Sequence, residues 1–144
     1  MTTNLAPRPS PTFTLAALPR ELTPLDPATM RLSGLIPGYN ERNTIETILD
    51  RVHQAPMAKE IICVDDRSTD GTRERLVELH AAGYIDQLIL QEVNGGKGRA
   101  IRTALAASTG DVIIVQDADL EYDPQDWPVL LQPLIDGKAD ACFG

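Results

Sequence analysis

The sequence lacks the features with which proteins bind nucleic acid or cross a membrane. Its 13 lysines and arginines are outnumbered by 21 aspartates and glutamates, which gives a net charge of −8, and no basic block occurs. Because phosphate backbones are bound through clustered lysine and arginine, we expect no nucleic-acid partner. No run approaches the roughly 18 uninterrupted apolar residues of a membrane-spanning helix, and the amino terminus lacks a signal-peptide core. We expect membrane contact only peripherally or through a missing carboxyl-terminal part.

Cysteine is also scarce. Cys63 and Cys142 are the only two cysteines, and each lies in a short apolar run. Cysteines in such runs are usually reduced and buried. The pattern predicts two buried thiols and a cytoplasmic location, either in solution or peripheral at the cytoplasmic face of the membrane.

Proline is unevenly distributed. Residues 1–30 hold six of the eleven prolines and only four charged side chains. Proline removes a backbone donor and blocks helix formation, so we predict a flexible proline-rich arm over residues 1–30. The length that remains suits one folded domain, over residues 31–144, which we expect to be incomplete at its carboxyl terminus.

From residue 31 onward, apolar runs alternate with segments of helical periodicity. The predicted strands cover residues 32–36, 60–65, 86–91, 111–117 and 140–143. The predicted helices begin near Asn43, Ser68, Gly98 and Gln125. The strand runs are continuously apolar, which is typical of strands covered on both faces. The sequence therefore predicts an α/β fold with an open, mostly parallel sheet and helices on both faces.

Polar loops follow four successive strands of this predicted sheet. The loops cover residues 37–41, 65–71, 94–99 and 117–121, and each contains glycine, acidic residues or both. In an open parallel sheet, ligands bind beyond the carboxyl ends of the strands. We therefore expect these loops to form a single pocket.

The last of these loops, Asp117-Ala118-Asp119-Leu120-Glu121, has carboxylates at alternate positions. An extended backbone would point all three to one side, where a pair about 4 Å apart repels by roughly 4 kcal/mol at an effective dielectric of about 20. Mg²⁺ or Mn²⁺ would relieve this repulsion and bridge an acidic protein to a phosphorylated ligand. The alternative is a solvated acidic turn before the next helix.

Two other loops also have alternative interpretations. The loop 65–71 has two interpretations. Asp65 or Asp66 could accept hydrogen bonds from a nucleobase or ribose while Ser68 or Asp70 caps the next helix. Alternatively, the acids of this loop only cap the helix. The segment 94–99 resembles a phosphate cradle, with Lys97 near a helix start, but it lacks the spacing of a P-loop or a dinucleotide fingerprint. A glycine-opened helix with exposed basic residues is the alternative there.

Five segments occur in order and at ordinary spacing: IPGYNE (36–41), VDDRSTDGT (64–72), NGGKGRAIRTAL (94–105), GDVIIVQDADLEYDP (110–124) and ADACFG (139–144). Together they make residues 32–144 resemble the amino-terminal, nucleotide-sugar-binding half of family 2 glycosyltransferases of the GT-A fold, which is Rossmann-like. The resemblance looks closest to dolichol-phosphate mannose synthases and related polyprenyl-phosphate hexosyltransferases. Two positions depart from the family pattern: Gly34 stands where a β-branched residue is commoner, and Arg67 replaces a small residue.

The resemblance implies a set of site residues. Those expected to bind the nucleotide-diphosphate-sugar donor are Pro37, Tyr39, Glu41, Asp65, Asp66, Lys97, Asp117, Ala118 and Asp119. The expected ligands of Mg²⁺ or Mn²⁺ are Asp117, Asp119 and Glu121. No catalytic base is identified, because in this family the acceptor-binding part follows the segment that ends here at Gly144.

The expected activity is therefore metal-dependent transfer of a hexose to an acceptor, with a polyprenyl phosphate such as dolichyl phosphate as the leading candidate. We expect this chain to bind donor and metal and to transfer little by itself. One alternative is a truncated, non-catalytic nucleotide-binding domain. Another is a sugar-phosphate nucleotidyltransferase, although such enzymes normally carry a glycine-rich, arginine-bearing loop where PGYNE stands.

Overall fold

Strands and helices alternate along the chain in the computed structural model, which describes residues 21–57 and 59–143. Most of the predicted arm, residues 1–20, lies outside the described residues. The strands are β1 (Leu32–Gly38), β2 (Lys59–Asp65), β3 (Gln87–Leu90) and β4 (Val112–Val115). The helices are α1 (Ile45–Gln54), α2 (Thr72–Ala81), α3 (Lys97–Ala107) and α4 (Trp127–Ile135), with a 3-10 turn at Pro124–Asp126.

All strand pairings are parallel, and the order across the sheet is β3-β2-β1-β4. The chain moves outward from β1 to β3 and then returns to the other side of β1. A crevice forms beyond the carboxyl ends of two strands where the order reverses in this way. Here that point lies between β1 and β4.

Helices cover both faces, as predicted. Residues of α1, α2 and α4 form one apolar cluster with one face of the sheet, and α3 contributes Ala100 and Ala104 to a smaller cluster on the other face. Every residue of β1 is buried, because this strand is paired on both sides and covered above and below. The predicted α/β fold with an open parallel sheet is confirmed. In the part of the chain that the structure describes, no helix is long and apolar enough to cross a bilayer.

The prediction of a fifth strand over residues 140–143 is wrong. Residues 141–143 have no regular secondary structure, and Phe143 is 94% exposed. An apolar run becomes a strand only where another backbone offers its hydrogen-bonding groups, and β4 pairs with β1 alone within the described residues. The prediction of two buried thiols also fails at this segment, because Cys142 is exposed while Cys63 is buried in β2. Burial raises the pKa of the Cys63 thiol.

The departure at Gly34 has a packing explanation. A Cβ atom added to Gly34 would lie 3.3 Å from Cη2 of Trp127, whose side chain is buried at the start of α4. Glycine therefore makes room in β1 for the indole ring. The lone tryptophan is a packing residue that joins α4 to the sheet.

Hydrogen bonds at the amino ends of the strands join β1 and β2 to the turn before β4. Glu60 accepts from the Ser33 hydroxyl at 2.7 Å, the Thr109 amide at 3.0 Å and the Gln87 side chain at 2.8 Å. Burial acts to raise the pKa of Glu60, but these hydrogen bonds outweigh it and hold that pKa below its ordinary value. The Ser33 hydroxyl also accepts from the Gly110 amide at 2.9 Å.

We expect Gly110→Ala to destabilise the protein. A Cβ atom at this position would lie 2.6 Å from the Ser33 hydroxyl oxygen and 2.8 Å from the Arg31 carbonyl oxygen. Because this crowding involves backbone, the free energy of unfolding measured with urea should fall by about 1–3 kcal/mol. The control is Gly98→Ala in α3, where the nearest atom to a new Cβ is an Arg102 guanidinium nitrogen at 3.7 Å. That variant should be as stable as the wild type or gain up to about 1 kcal/mol. Equal losses in the two variants would contradict the packing described for Gly110.

Candidate functional site

A cleft of about 190 Å³ lies at the carboxyl ends of β1 and β4, where the strand order reverses. It is lined by Pro37, Gly38, Tyr39, Glu41, Asp66, Lys97, Ala100, Asp117, Ala118 and Asp119. Loops after all four strands contribute to it. The structure thus brings together all of the site residues proposed from the sequence except Asp65 and Glu121.

The loops after β1 and β2 are held together by hydrogen bonds. The amide of Asn40 donates to the Ser68 hydroxyl at 3.0 Å, and the amide of Glu41 donates to the Thr72 hydroxyl at 2.9 Å. Asn40 adopts a positive φ of 53°, and its side chain accepts from the Thr69 amide at 2.9 Å. This bracing fixes the backbone that follows Tyr39, whose ring is half exposed at the cleft.

Asp65 lies beneath this loop rather than in the cleft. Its side chain is fully buried, and Oδ2 accepts from the Ser68 amide at 3.2 Å and lies 3.3 Å from an Arg73 guanidinium nitrogen. Arg73 also donates to the Gln91 carbonyl at 2.9 Å. Asp65 therefore supports the turn after β2 and joins it to α2. Asp70 accepts from the amide of Thr72 at 3.0 Å, but the N-cap residue of α2 is Gly71, so neither Ser68 nor Asp70 is the cap, contrary to the prediction.

Asp66 is buried, yet it borders the cleft. Its Oδ1 accepts from the Gly95 amide and its Oδ2 from the Gly96 amide, both at 2.8 Å. The Asn94 side chain donates to the Asp66 carbonyl at 3.1 Å. Sequence reasoning missed these contacts, because they join loops about 30 residues apart and no local pattern pairs them. The feature of the sequence that could have indicated these contacts is the pair of glycines next to Asn94 after β3, since small residues allow a carboxylate to approach backbone amides closely.

An ion pair crosses the cleft. The Nζ atom of Lys97 lies 2.5 Å from Oδ1 of Asp117, so the first residue of α3 contacts the loop after β4. The Lys97 side chain is 58% exposed and that of Asp117 is 20% exposed. The pair thus lies where a ligand could reach it. Both residues are predicted site residues, but their contact is not predictable from the sequence pattern.

The alternating carboxylates predict an extended backbone for the acidic loop after β4, but this loop is not extended in the structure. Leu120 has a positive φ of 67°, and Oδ1 of Asp119 accepts from the Glu121 amide at 3.1 Å. These features form a tight turn, and Glu121 is exposed outside the lining of the cleft. The expectation of an extended run is therefore wrong, and only Asp117 and Asp119 of the three carboxylates face the cleft.

The donor set nevertheless suits a divalent cation. Across residues 21–57 and 59–143, no three histidine, cysteine or acidic side chains gather into a preformed metal cage. Mg²⁺ often binds only one or two carboxylates and completes its coordination with waters and substrate phosphates. Asp117 and Asp119 lie together in the cleft and fit an ion of that kind.

The acidic loop is positioned by Gln116, which sequence reasoning did not single out. Its buried side chain accepts from Nε1 of Trp127 at 2.9 Å. The same side chain donates to the carbonyls of Asp117 at 3.1 Å and Tyr122 at 2.9 Å. Gln116 therefore joins both ends of the loop to the indole ring that packs on β1. A glutamine at the end of an apolar strand was the available signal, since a buried amide requires partners.

A larger cavity of about 340 Å³ lies at the opposite edge of the sheet, at the amino ends of the strands. Its polar side chains are occupied by the protein itself. Lys59 donates to the Ala55 and Met57 carbonyls, Arg31 donates to the Thr109 hydroxyl, and Glu60 accepts the hydrogen bonds described above. Burial lowers the pKa of Lys59. We therefore place the candidate site in the smaller cleft, where residues from all four loops converge.

The chain is similar to proteins of one family. The profile of the family described as "Glycosyl transferase family 2" matches residues 33–144. A dolichol-phosphate mannosyltransferase from Pyrococcus furiosus is 34% identical over 111 residues, which are 76% of this chain and 31% of that protein. A glucosyl-3-phosphoglycerate synthase from Mycobacterium tuberculosis is 34% identical over 112 residues, which are 74% of this chain and 35% of that protein. The chain thus spans about a third of the length of each of these two relatives.

Two solved structures have the same fold. A mannosyltransferase from Pyrobaculum calidifontis, in complex with GDP-Man and Mn²⁺, superposes with a TM-score of 0.61 at 28% identity, over 76% of this chain and 34% of that one. The glucosyl-3-phosphoglycerate synthase of M. tuberculosis, in complex with uridine-diphosphate, superposes with a TM-score of 0.62 at 30% identity, over 77% of this chain and 42% of that one. Both neighbours are GT-A glycosyltransferases.

We expect Gln116→Leu to destabilise the protein and loosen the acidic loop. The substitution leaves the indole N–H of Trp127 and the carbonyls of Asp117 and Tyr122 without their partner. An unsatisfied buried polar group costs about 1–3 kcal/mol, so the free energy of unfolding should fall by at least that amount. Urea denaturation measures the loss, and the indole N–H resonance of Trp127 should shift in an NMR spectrum. The control is Gln125→Leu at an exposed position, which should leave both unchanged. An unshifted indole resonance in Gln116→Leu would contradict the bracing role.

Proposed function

The chain belongs to glycosyl transferase family 2, and on this premise we propose that it binds a nucleotide-diphosphate sugar in the cleft between the ends of β1 and β4. The observation that carries the proposal is the convergence there of Tyr39 after β1, Lys97 from α3 and Asp119 after β4. These residues offer an aromatic face, a cation and a carboxylate in one place. A nucleoside, a diphosphate and a metal ion need those three chemistries.

The nucleoside occupies the end of the cleft formed by Tyr39, Glu41 and Asp66. Tyr39 supplies a flat, half-exposed ring against which a base or ribose can pack. Glu41 supplies a carboxylate, which is an acceptor for ribose hydroxyls or base N–H groups. Relatives differ in their nucleotide, since one is solved with GDP-Man and another with uridine-diphosphate. The proposal is therefore for a nucleoside diphosphate, without assignment of its base.

The diphosphate lies toward Lys97 and the first turn of α3. Helix amino termini carry backbone N–H groups without partners in the helix and a partial positive charge, which favours phosphate. The ammonium group of Lys97 adds a full charge at the same place. Asp117 and Asp119 would hold Mg²⁺ or Mn²⁺, which when bound supplies Lewis-acid stabilisation of the departing nucleoside diphosphate. Glu121, the third ligand expected from the sequence, has no place in the cleft lining.

The acceptor is proposed to be a phosphorylated molecule, with a polyprenyl phosphate first. Two relatives are named for a phosphorylated molecule. They are a dolichol-phosphate mannosyltransferase and a glucosyl-3-phosphoglycerate synthase. In the reaction, an acceptor oxygen attacks the anomeric carbon of the hexose and the nucleoside diphosphate leaves from the opposite side. Among the described residues we assign no catalytic base. The step proposed for this chain is therefore binding of donor and metal.

Calorimetric titration tests the proposal. We expect UDP or GDP to bind in the presence of Mn²⁺ or Mg²⁺ and to bind at least about tenfold more weakly in EDTA, a difference of about 1.4 kcal/mol. Repeating the titration with UDP- and GDP-sugars identifies the base and the hexose. Absence of binding by either nucleotide in both metals would refute the proposal.

We expect Asp119→Asn to remove the metal-dependent part of this affinity. Asparagine keeps an oxygen that can accept from the Glu121 amide, so the turn is retained while the charge that attracts the metal is lost. The matched control is Glu121→Gln, which alters an exposed carboxylate outside the cleft lining and should keep the metal dependence. Calorimetry with and without Mn²⁺ provides the comparison. Unchanged affinity in Asp119→Asn, or equal losses in both variants, would defeat the assignment.

A further inference from the structure

We propose that Asp66 is a positioning residue that anchors the glycine loop, residues 94–97, so that Lys97 and the first turn of α3 face the diphosphate of the donor. The inference rests on the proposed function and deepens it. The family resemblance implies contact between Asp66 and the nucleoside. The geometry points to a second role, which acts on the phosphates and is independent of the base.

The contacts of Asp66 define the loop. Each carboxylate oxygen accepts one backbone amide, from Gly95 and Gly96, at 2.8 Å. Hydrogen bonds to an ionised acceptor are roughly twice as strong as those between neutral groups. The side chain is 3% exposed, so water competes little for these bonds. Two adjacent amides held by two oxygens of one rigid group leave the peptide between them little freedom to rotate.

The loop requires such an anchor because of its own composition. Gly95 and Gly96 are adjacent, and Gly96 adopts a φ of 83°, where other residues are strained. Glycine loses more conformational freedom on ordering than any other residue. A loop with two glycines would therefore sample many conformations without the carboxylate beneath it. The side chain of Asn94, which donates to the Asp66 carbonyl at 3.1 Å, adds a second attachment at the start of the loop.

The orientation of Lys97 follows from this anchor. Lys97 comes directly after Gly96 and opens α3, and its ammonium group lies against Asp117 on the far side of the cleft. A continuous chain of contacts therefore leads from the end of β2, through the glycine amides and Lys97, to the loop after β4. Loss of the carboxylate would leave Lys97 on a mobile loop, and a phosphate would then have to order the loop on binding.

The two roles of Asp66 predict different behaviour toward a ligand that has no base. Carboxylate oxygens have about two lone pairs each, so a nucleobase N–H can be accepted while the glycine amides remain bound. If Asp66 acted on the nucleoside alone, its replacement would leave the affinity for inorganic pyrophosphate unchanged. If it positions the loop, the affinity for pyrophosphate falls as well.

The test is Asp66→Asn, titrated with inorganic pyrophosphate and with UDP or GDP in the presence of Mg²⁺. Asparagine has the same shape but presents an NH₂ donor to one of the glycine amides, so one hydrogen bond is replaced by a repulsive contact. We expect the affinity for pyrophosphate to fall about tenfold or more, by a factor similar to that for the nucleotide. Hydrogen exchange at Gly95 and Gly96 should also be faster. The matched control is Asp136→Asn at the end of α4, which should change neither affinity.

A double-mutant cycle separates positioning from a general loss of structure. In a Lys97→Met background, Asp66→Asn should have much less effect on pyrophosphate affinity, because the side chain that it positions is gone. Full additivity of the two substitutions would overturn the proposal. If Asp66→Asn does not fold, Asn94→Ala serves in its place, since Asn94 is exposed and makes the second attachment; a fall of about twofold to fivefold in pyrophosphate affinity is expected.

The outcomes distinguish this proposal from the proposed function. If wild-type protein binds UDP or GDP while Asp66→Asn weakens the nucleotide and leaves pyrophosphate unchanged, the positioning role is wrong and the donor site stands. If wild-type protein binds neither pyrophosphate nor a nucleotide, both proposals are overturned.

Discussion

Repulsion between carboxylates at one edge of the sheet is the constraint on which the site depends. Asp65, Asp66, Asp117 and Asp119 all lie at the carboxyl ends of two parallel strands, β2 and β4. Each is offset by a different group: an arginine, two backbone amides, a lysine and the amide of a tight turn, respectively. Each of these contacts either joins two segments of the chain at this edge or closes a turn. The requirement to offset these charges therefore also fixes the shape of the cleft.

The topology explains why so many acids meet at this edge. Parallel strands joined by helices return the chain to the same side of the sheet each time, so all loops after strands lie at one edge. The reversal of strand order between β1 and β4 then leaves a gap that no crossover helix fills. The buried side chains of Gln116 and Trp127 attach the loop after β4, which lines this gap, to the start of α4. Apolar packing on one face of the sheet thus determines where the charged residues of the loop lie.

The sequence alone predicted the features that depend on hydrophobic periodicity and on the order of the strands and helices along the chain. Continuous apolar runs predicted β1 to β4, and the rule for parallel sheets predicted that Tyr39, Lys97 and Asp119 would share a cleft. It did not predict features that depend on contacts between residues far apart in the sequence or on the backbone conformation of a single residue. The hydrogen bond between Asp66 and Gly95 joins two separate loops. The positive φ of Leu120 makes a turn in the acidic loop, for which the alternating carboxylates predict an extended backbone. Residues 140–143 have the composition of a strand, but they find no neighbouring strand in the described chain.

The charge balance of the cleft bears on how donor and metal binding are related. Among the described residues, Lys97 alone gives the cleft lining a basic group, and its ammonium pairs with Asp117. Under the proposed function, a diphosphate draws Lys97 toward its own oxygens, and Asp117 then loses its counter-ion. A free carboxylate beside Asp119 and a phosphate attracts a divalent cation more strongly than the ion pair does. Each ligand thereby raises the affinity for the other, and by linkage the two effects are equal. An acidic chain can in this way bind an acidic ligand with one lysine, because the phosphate and the metal together replace a single ion pair.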